Sequence, residues 1–216
     1  HKEVPLKIVV CVKQVPDTAA RVVVQDGKVS WGDAPLVINP WDEYAVESAL
    51  VQAEAHKGEV VALSMGGEDA KEALKHALAM GCQEAILVSD PALAGADSFV
   101  TAQVLAAAIR KIGGASLAVF GRQAVDGDAG VTAAMTARAL GWPVLSLIAA
   151  VRESSPEAIT VERSIEEGRQ VVKADLPAVL SFTKDIGEPR YPSFMGIRKA
   201  SRATIPLWSL ADLGIS

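Results

Sequence analysis

Apolar positions along this chain fall into two alternating patterns. Unbroken apolar runs at 6–12 (LKIVVCV), 59–64 (EVVALS), 84–88 (EAILV) and 117–120 (LAVF) read as strands buried on both faces. Between them, apolar residues recur every three or four positions, as on one face of a helix. One such set is Ala45, Val46, Ala49, Leu50 and Ala53. A second is Ala70, Ala73, Leu74, Ala77 and Leu78, and a third is Val100, Val104, Leu105, Ala108, Ile109 and Ile112. Gly58, Gly81 and Gly113-Gly114 stop these helices. Asn39 and Asp97 stand where N-caps are needed, with Pro40 at a first helical position and Asp42 completing a box-like start. A fourth helix-like run ends at Leu140, before Gly141 and Pro143.

This rhythm predicts an α/β fold: an open, mostly parallel twisted sheet with helices on both faces, wound by right-handed crossovers. Two departures are expected. Residues 21–24 and 28–31, around Asp26-Gly27, read as a β-hairpin inserted before the first helix. Beyond Pro143, residues 144–151, 158–163, 170–174 and 177–183 have strand character with no helix between them. They predict the sheet's edge with a small antiparallel appendage. From Lys184 onward long apolar periodicity is lost, which predicts an extended C-terminal arm. The expected division is an α/β domain over 1–184 and a C-terminal arm over 185–216.

The strand at 117–120, the stretch GRQAVDGDAGVTAAMT at 121–136 and the helix-like run that it precedes form a strand–loop–helix unit. In an open parallel sheet such a loop lies at the carboxyl edge, where ligands bind. Glycines and a helix start together offer N–H groups to an anion. The loop therefore reads as a phosphate cradle, with an ordinary βα turn capped by Asp128 as the plain alternative. No GxGxxG fingerprint follows the first strand.

Composition narrows the class without choosing a chemistry. The net charge of −5 argues against broad nucleic-acid binding. No apolar run reaches the length of a membrane span, so no direct membrane insertion is expected. His1 reads as an added or truncated start with no secretory signal. Cys11 and Cys82 lie far apart and read as reduced thiols, and Cys11 as a buried one. His56 and His76 sit on helices without ligand spacing and read as solvated. No metal site or catalytic residue set is expected. SMGGEDA at 64–70 has the look of an SGGxDS nucleotide loop but lacks its final hydroxyl.

Five stretches together carry a family resemblance: CVKQVPDT at 11–18, INPWDEYAVESAL at 38–50, ALAMG at 77–81, GRQAVDGD at 121–128 and LPAVLSFTKDIGEPRYPSFMGIRKA at 176–200. The chain resembles the β subunit of electron transfer flavoprotein over residues 6–208. The resemblance implies a Rossmann-like, adenine nucleotide-binding domain over 1–184, with a recognition loop and C-terminal arm over 185–216 packing on a partner, in a heterodimer with an α subunit that holds the redox-active FAD. It implies that the β subunit binds AMP structurally, or a second FAD in its place in electron-bifurcating members. KQVPDT and the TIPLWSL tail look like the bifurcating branch, GVTAAMTA like the AMP-binding branch; AMP is the expectation here. The nucleotide site carried over uses Cys11, Asn39, Pro40, Trp41, Asp42 and Met65. It continues along the loop through Arg122, Gln123, Ala124, Val125, Asp126, Gly127, Asp128, Ala129, Gly130, Val131, Thr132 and Ala133.

Asp126 and Asp128 would repel phosphate, so they are expected to turn inward onto backbone N–H groups or to meet ribose hydroxyls. Thr132 is expected to offer its hydroxyl to phosphate. Residues 15–18 are expected near the flavin. The resemblance also implies a recognition loop for partner dehydrogenases at Glu188, Pro189, Arg190, Tyr191, Phe194 and Ile197. Phe194 is its anchor, standing where relatives often carry leucine, with Arg190, Tyr191 and Lys199 as a polar rim. The expected role is electron carriage from acyl-CoA or other dehydrogenases toward a quinone reductase. The expected location is the cytoplasm of a bacterium, or the mitochondrial matrix of a eukaryote. The rival readings are a bifurcating β subunit and a stand-alone nucleotide-binding module of the stress-protein type.

Overall fold

The computed structural model describes residues 5–215; His1 lies outside them. Strand β1 (Lys7–Cys11) runs through the middle of the sheet. The excursion after it holds β2 (Gln14–Pro16), β3 (Val23–Gln25), β4 (Lys28–Ser30) and β5 (Leu36–Ile38). Strands β3 and β4 form the expected hairpin, turning through Asp26 and Gly27, both at positive φ. Strands β2 and β5 pair antiparallel, a contact that the pattern of apolar residues did not announce.

Helix α1 (Pro40–Ala55), β6 (Glu59–Met65), α2 (Lys71–Met80), β7 (Glu84–Val88), α3 (Ser98–Ile112), β8 (Leu117–Gly121) and α4 (Thr132–Leu140) follow in the expected order. Then come β9 (Val144–Ser154), β10 (Ala158–Ile165), β11 (Gly168–Asp175), β12 (Ala178–Phe182), α5 (Phe194–Ser201) and β13 (Leu207–Trp208). The main sheet has nine strands in the order β11-β10-β9-β12-β8-β1-β6-β7-β13. All its pairs are parallel except β9 with β10 and β10 with β11.

Alternation along each central strand sorts the core onto the two faces. Ile8 and Val10 of β1 join Val46, Leu50 and Leu74 under α1 and α2. Val9 and Cys11 join Val104, Ile109 and Ala137 under α3 and α4. The α/β architecture wound on both faces is therefore the observed one. Strand β9 belongs to both parts of the sheet: its first half pairs with β12 and its second half with β10. Between them Leu147 takes a positive φ of 58° and its N–H goes to Ser181 Oγ, so the ladder is broken there by a bulge.

Residues 185–215 pack on the rest of the chain in this structure. Helix α5 lies on α2 so closely that a Cβ at Gly196 would collide with the carbonyl oxygen of Ala79. Ala200 and Ile205 are buried. Strand β13 extends the sheet beside β7, and the Lys111 ammonium sits 5.1 Å over the Trp208 ring. Leu213 and Ile215 pack onto the cluster under α3. Among the described residues, no helix is long and apolar enough to cross a membrane.

Candidate nucleotide site

The carboxyl ends of β1, β6 and β8 and the first turns of α3 and α4 surround a cavity of about 470 Å³. That is within the range of small-molecule sites, and it stands where an open α/β sheet binds its ligands. Thirteen of the expected site residues line it: Cys11, Asn39, Asp42, Met65, Arg122, Gln123, Ala124, Gly127, Asp128, Ala129, Gly130, Thr132 and Ala133. Pro40, Trp41, Val125, Asp126 and Val131 stand behind or beside it rather than on its wall. Of these, Trp41 carries the Arg122 guanidinium 5.6 Å from its ring centroid. The wall also includes Lys13, Asp97, Ser98, Thr101 and Phe120, none of which was among the expected site residues. Asp97, already expected as a cap, accepts from the Val100 N–H at 2.9 Å and so fixes the start of α3 on this wall.

Asn39 holds the loop rather than capping its own helix. It occupies the cap position of α1, yet its side chain makes no cap bond. Its Oδ1 accepts from the Val125 N–H at 3.1 Å, and its Nδ2 donates to the Gln123 carbonyl at 2.8 Å. Both groups belong to a loop outside any ladder, where unmade backbone bonds would be costly. The expected box-like start is corrected in the same way. Asp42 does not reach back to Asn39's N–H, which instead donates to the Lys13 carbonyl at 2.8 Å. The buried Asp42 Oδ2 accepts from the Lys13 N–H at 2.8 Å. Burial pushes its carboxyl up to about 7, against the hydrogen bonds from Lys13, Asn39 and Gly121 that favour the charged form. Gly121 is required here: a Cβ would fall 2.5 Å from Asp42 Oδ1 and 2.6 Å from the Trp41 carbonyl.

The loop after β8 turns back at Asp128, φ 52°, and Gly130, φ 65°. Asp tolerates this left-handed region because its side chain bonds locally. The expectation that Asp126 and Asp128 accept backbone N–H bonds is not met. Lys13 Nζ reaches Asp126 Oδ1 at 2.8 Å, and Gln123 Nε2 donates to Asp128 Oδ1. Side-chain donors thus occupy both carboxylates. The helix beyond the loop has the apolar Val131 at its cap position and no side-chain cap. The first helical N–H groups of α4, at Thr132 and Ala133 on the cavity wall, therefore lack a capping oxygen. With the helix dipole behind them, they form a site suited to an anion.

Cys11 is a free, buried thiol whose ionisation is pushed up, first by burial and then by Asp42, so it contributes shape rather than a thiolate. His56 Nε2 meets Ser154 Oγ at 2.8 Å and His76 Nε2 lies 2.8 Å from Glu43 Oε1. His56 is thus hydrogen-bonded within the fold rather than simply solvated, while His76 Nε2 is buried beside Glu43 without a hydrogen bond. Among the described residues, no cluster of three His, Cys, Asp or Glu could hold a metal ion.

The expected recognition loop divides into a tether and an exposed face. Arg190 donates from Nε to Glu47 Oε2 at 2.8 Å and from Nη1 to Glu54 Oε1 at 2.6 Å, and its main-chain N–H also meets Glu47 at 2.9 Å. It ties residues 188–193 to α1 rather than standing free on a rim. Ser193 caps α5 by accepting from the Gly196 N–H at 2.9 Å. That leaves Tyr191 93%, Phe194 79%, Met195 67% and Ile197 53% exposed.

The profile of the electron transfer flavoprotein domain matches residues 30–213. The chain belongs to the electron transfer flavoprotein family. It is 38% identical to the caffeyl-CoA reductase-Etf complex subunit CarD of Acetobacterium woodii, over 98% of this chain and 81% of that protein. It is 37% identical to protein FixA of Azorhizobium caulinodans, over 97% of this chain and 77% of that one. It is 36% identical to the electron transfer flavoprotein subunit beta of Megasphaera elsdenii, over 93% of this chain and 77% of that one. The electron-transport role and the kinship to β subunits thus rest on nearly the whole chain.

Proposed function

We propose that the chain is the β subunit of a heterodimeric electron transfer flavoprotein and that its carboxyl-edge cavity binds AMP as a structural ligand. It helps enclose an FAD held mainly by the α subunit. It acts as an electron carrier rather than a catalyst, receiving electrons from acyl-CoA or other dehydrogenases in the cytoplasm and passing them toward a quinone reductase. The observation that carries the nucleotide reading is the uncapped start of α4. Thr132 and Ala133 at that start line a cavity of about 470 Å³, and Asn39 pins the loop leading to them. The dehydrogenase reading is supported by the exposed Phe194 face, presented on a helix that Gly196 docks firmly on α2. An aromatic anchor on a rigid support loses little entropy when it enters a partner's pocket.

A second reading puts an FAD in the β cavity, as in a bifurcating flavoprotein. The stretches KQVPDT at 13–18 and TIPLWSL at 204–210, which resemble the bifurcating branch, favour it. The two readings separate on the purified heterodimer, by flavin absorbance per heterodimer and chromatography of acid-released nucleotide. One flavin and one AMP support the first reading, and two flavins without AMP support the second. A heterodimer with one flavin and no adenine nucleotide beyond that flavin's own overturns both.

A further inference from the structure

Lys13 is held in the cavity in an unusual way. Its backbone is fixed at both ends, the N–H on Asp42 Oδ2 and the carbonyl by the Asn39 N–H, each at 2.8 Å. The side chain leaves this anchored point at the end of β1 and reaches the opposite loop, where Nζ meets Asp126 Oδ1 at 2.8 Å. Lys13 lines the cavity, and Asp126 directly precedes Gly127, which lines it too. The ammonium therefore stands on the loop that leads into the uncapped start of α4. The ion pair is part-exposed, with side-chain exposures of 50% and 23%, and such a pair adds little to stability and exchanges partners readily.

Charge on the cavity walls gives this cation a task. Asp42, Asp97 and Asp128 line the wall and Asp126 stands at its rim, against the cations Lys13 and Arg122. The Arg122 guanidinium is drawn over the Trp41 ring. A nucleoside monophosphate brings close to two negative charges near neutral pH. Backbone amides alone would have to hold it against those carboxylates. An ammonium on a flexible stem can follow the phosphate with little rearrangement.

We propose that Lys13 is a phosphate ligand of the nucleotide, exchanging the Asp126 carboxylate for a phosphate oxygen. In this arrangement Asp126 competes for the same ammonium and sets how much phosphate charge the site demands. The site then selects 5′-phosphorylated adenosine over adenosine. This rests on the nucleotide reading of the cavity given above.

The test is calorimetric titration of AMP and of adenosine into the heterodimer freed of bound nucleotide, for the wild type, Lys13→Met, Lys13→Arg and Asp126→Asn. Lys13→Met is expected to weaken AMP about tenfold, as for loss of one charge-assisted bond, and to leave adenosine within about twofold. Lys13→Arg should retain most AMP affinity. Asp126→Asn, by freeing the ammonium, should tighten AMP roughly threefold. Flavin content and circular dichroism of each variant report assembly. If AMP binds wild type and Lys13→Met equally while both assemble, the Lys13 proposal is overturned and the nucleotide site stands. If Lys13→Met does not assemble, the Asp126→Asn arm decides, and unchanged or weakened AMP binding there overturns the proposal. If the wild type binds neither AMP nor adenosine, the nucleotide reading itself is overturned, and the proposal with it.

Discussion

Replacing Asp42 by asparagine isolates the buried carboxyl that joins β1, α1 and β8 beneath the ligand cavity. Its ordinary value is 3.8 and burial pushes it to about 7. The folded protein therefore binds a proton there more tightly than the unfolded chain does. Stability is then highest below pH 4 as far as this group is concerned, and it falls as pH rises from about 4 through about 7. An interval of about three pKa units, at about 1.4 kcal/mol each, corresponds to roughly 4 kcal/mol of cost above neutrality. Asparagine removes the charge but keeps a single carbonyl acceptor for the N–H donors that Asp42 serves, which returns on the order of 1–2 kcal/mol of that gain. Asp42→Asn should therefore stabilise the protein by about 1–3 kcal/mol at pH 8.5 and change it by less than about 1 kcal/mol at pH 5.5. For a chain this long that is a rise of roughly 2–12 °C in thermal midpoint at the higher pH. The assay is scanning calorimetry at matched subunit and nucleotide concentration, because bound partners shift midpoints. Carboxyl-carbon NMR of the wild type supplies the direct titration. A midpoint near 4 for Asp42, or parallel pH profiles for wild type and variant, would refute the reasoning.

Other consequences follow from named contacts. Gly196→Ala forces α5 off the Ala79 carbonyl, so it should cost about 1–3 kcal/mol and raise amide exchange across residues 194–201 without altering bound nucleotide. Equal exchange in the two proteins would contradict the close docking. Arg190→Ala leaves Glu47 and Glu54 without their shared cation. It should loosen residues 188–193 to proteolysis while the sheet stays intact, and an unchanged cleavage pattern would contradict the tether. Phe194→Ala should slow reduction of the heterodimer by its dehydrogenase at least several-fold with flavin content unaltered, as expected for loss of a hot-spot side chain. Stopped-flow reduction rates check it, and equal rates would remove the anchor role.

The sheet and its four flanking helices were legible because each run of buried residues is long and its spacing consistent. The turn after β8 was legible from Gly127, Gly130 and the strand before them. What the sequence hid is tertiary. Asn39 obeys the local rule for a helix cap, yet the loop at Gln123–Val125 offers its side chain better use. Arg190 looks like a free surface cation until Glu47 and Glu54, seven residues apart on α1, are brought beneath it. Helix α5 has only eight residues, and its docking depends on Gly196, which sequence rules read as a helix breaker. Strand β13 is two residues held through backbone bonds, which leave no apolar pattern. Lys13 was hidden for the same reason: its partner lies 113 positions away.

The central claim is that an adenylate sits between the end of β1, the loop after β8 and the start of α4. Photolabelling the heterodimer with 8-azido-AMP, followed by peptide mapping, tests it most directly. The account predicts adducts confined to peptides carrying residues 11–13, 39–42, 65 and 121–133, suppressed by excess AMP. Labelling that falls elsewhere on the chain, or that excess AMP does not suppress, would contradict it.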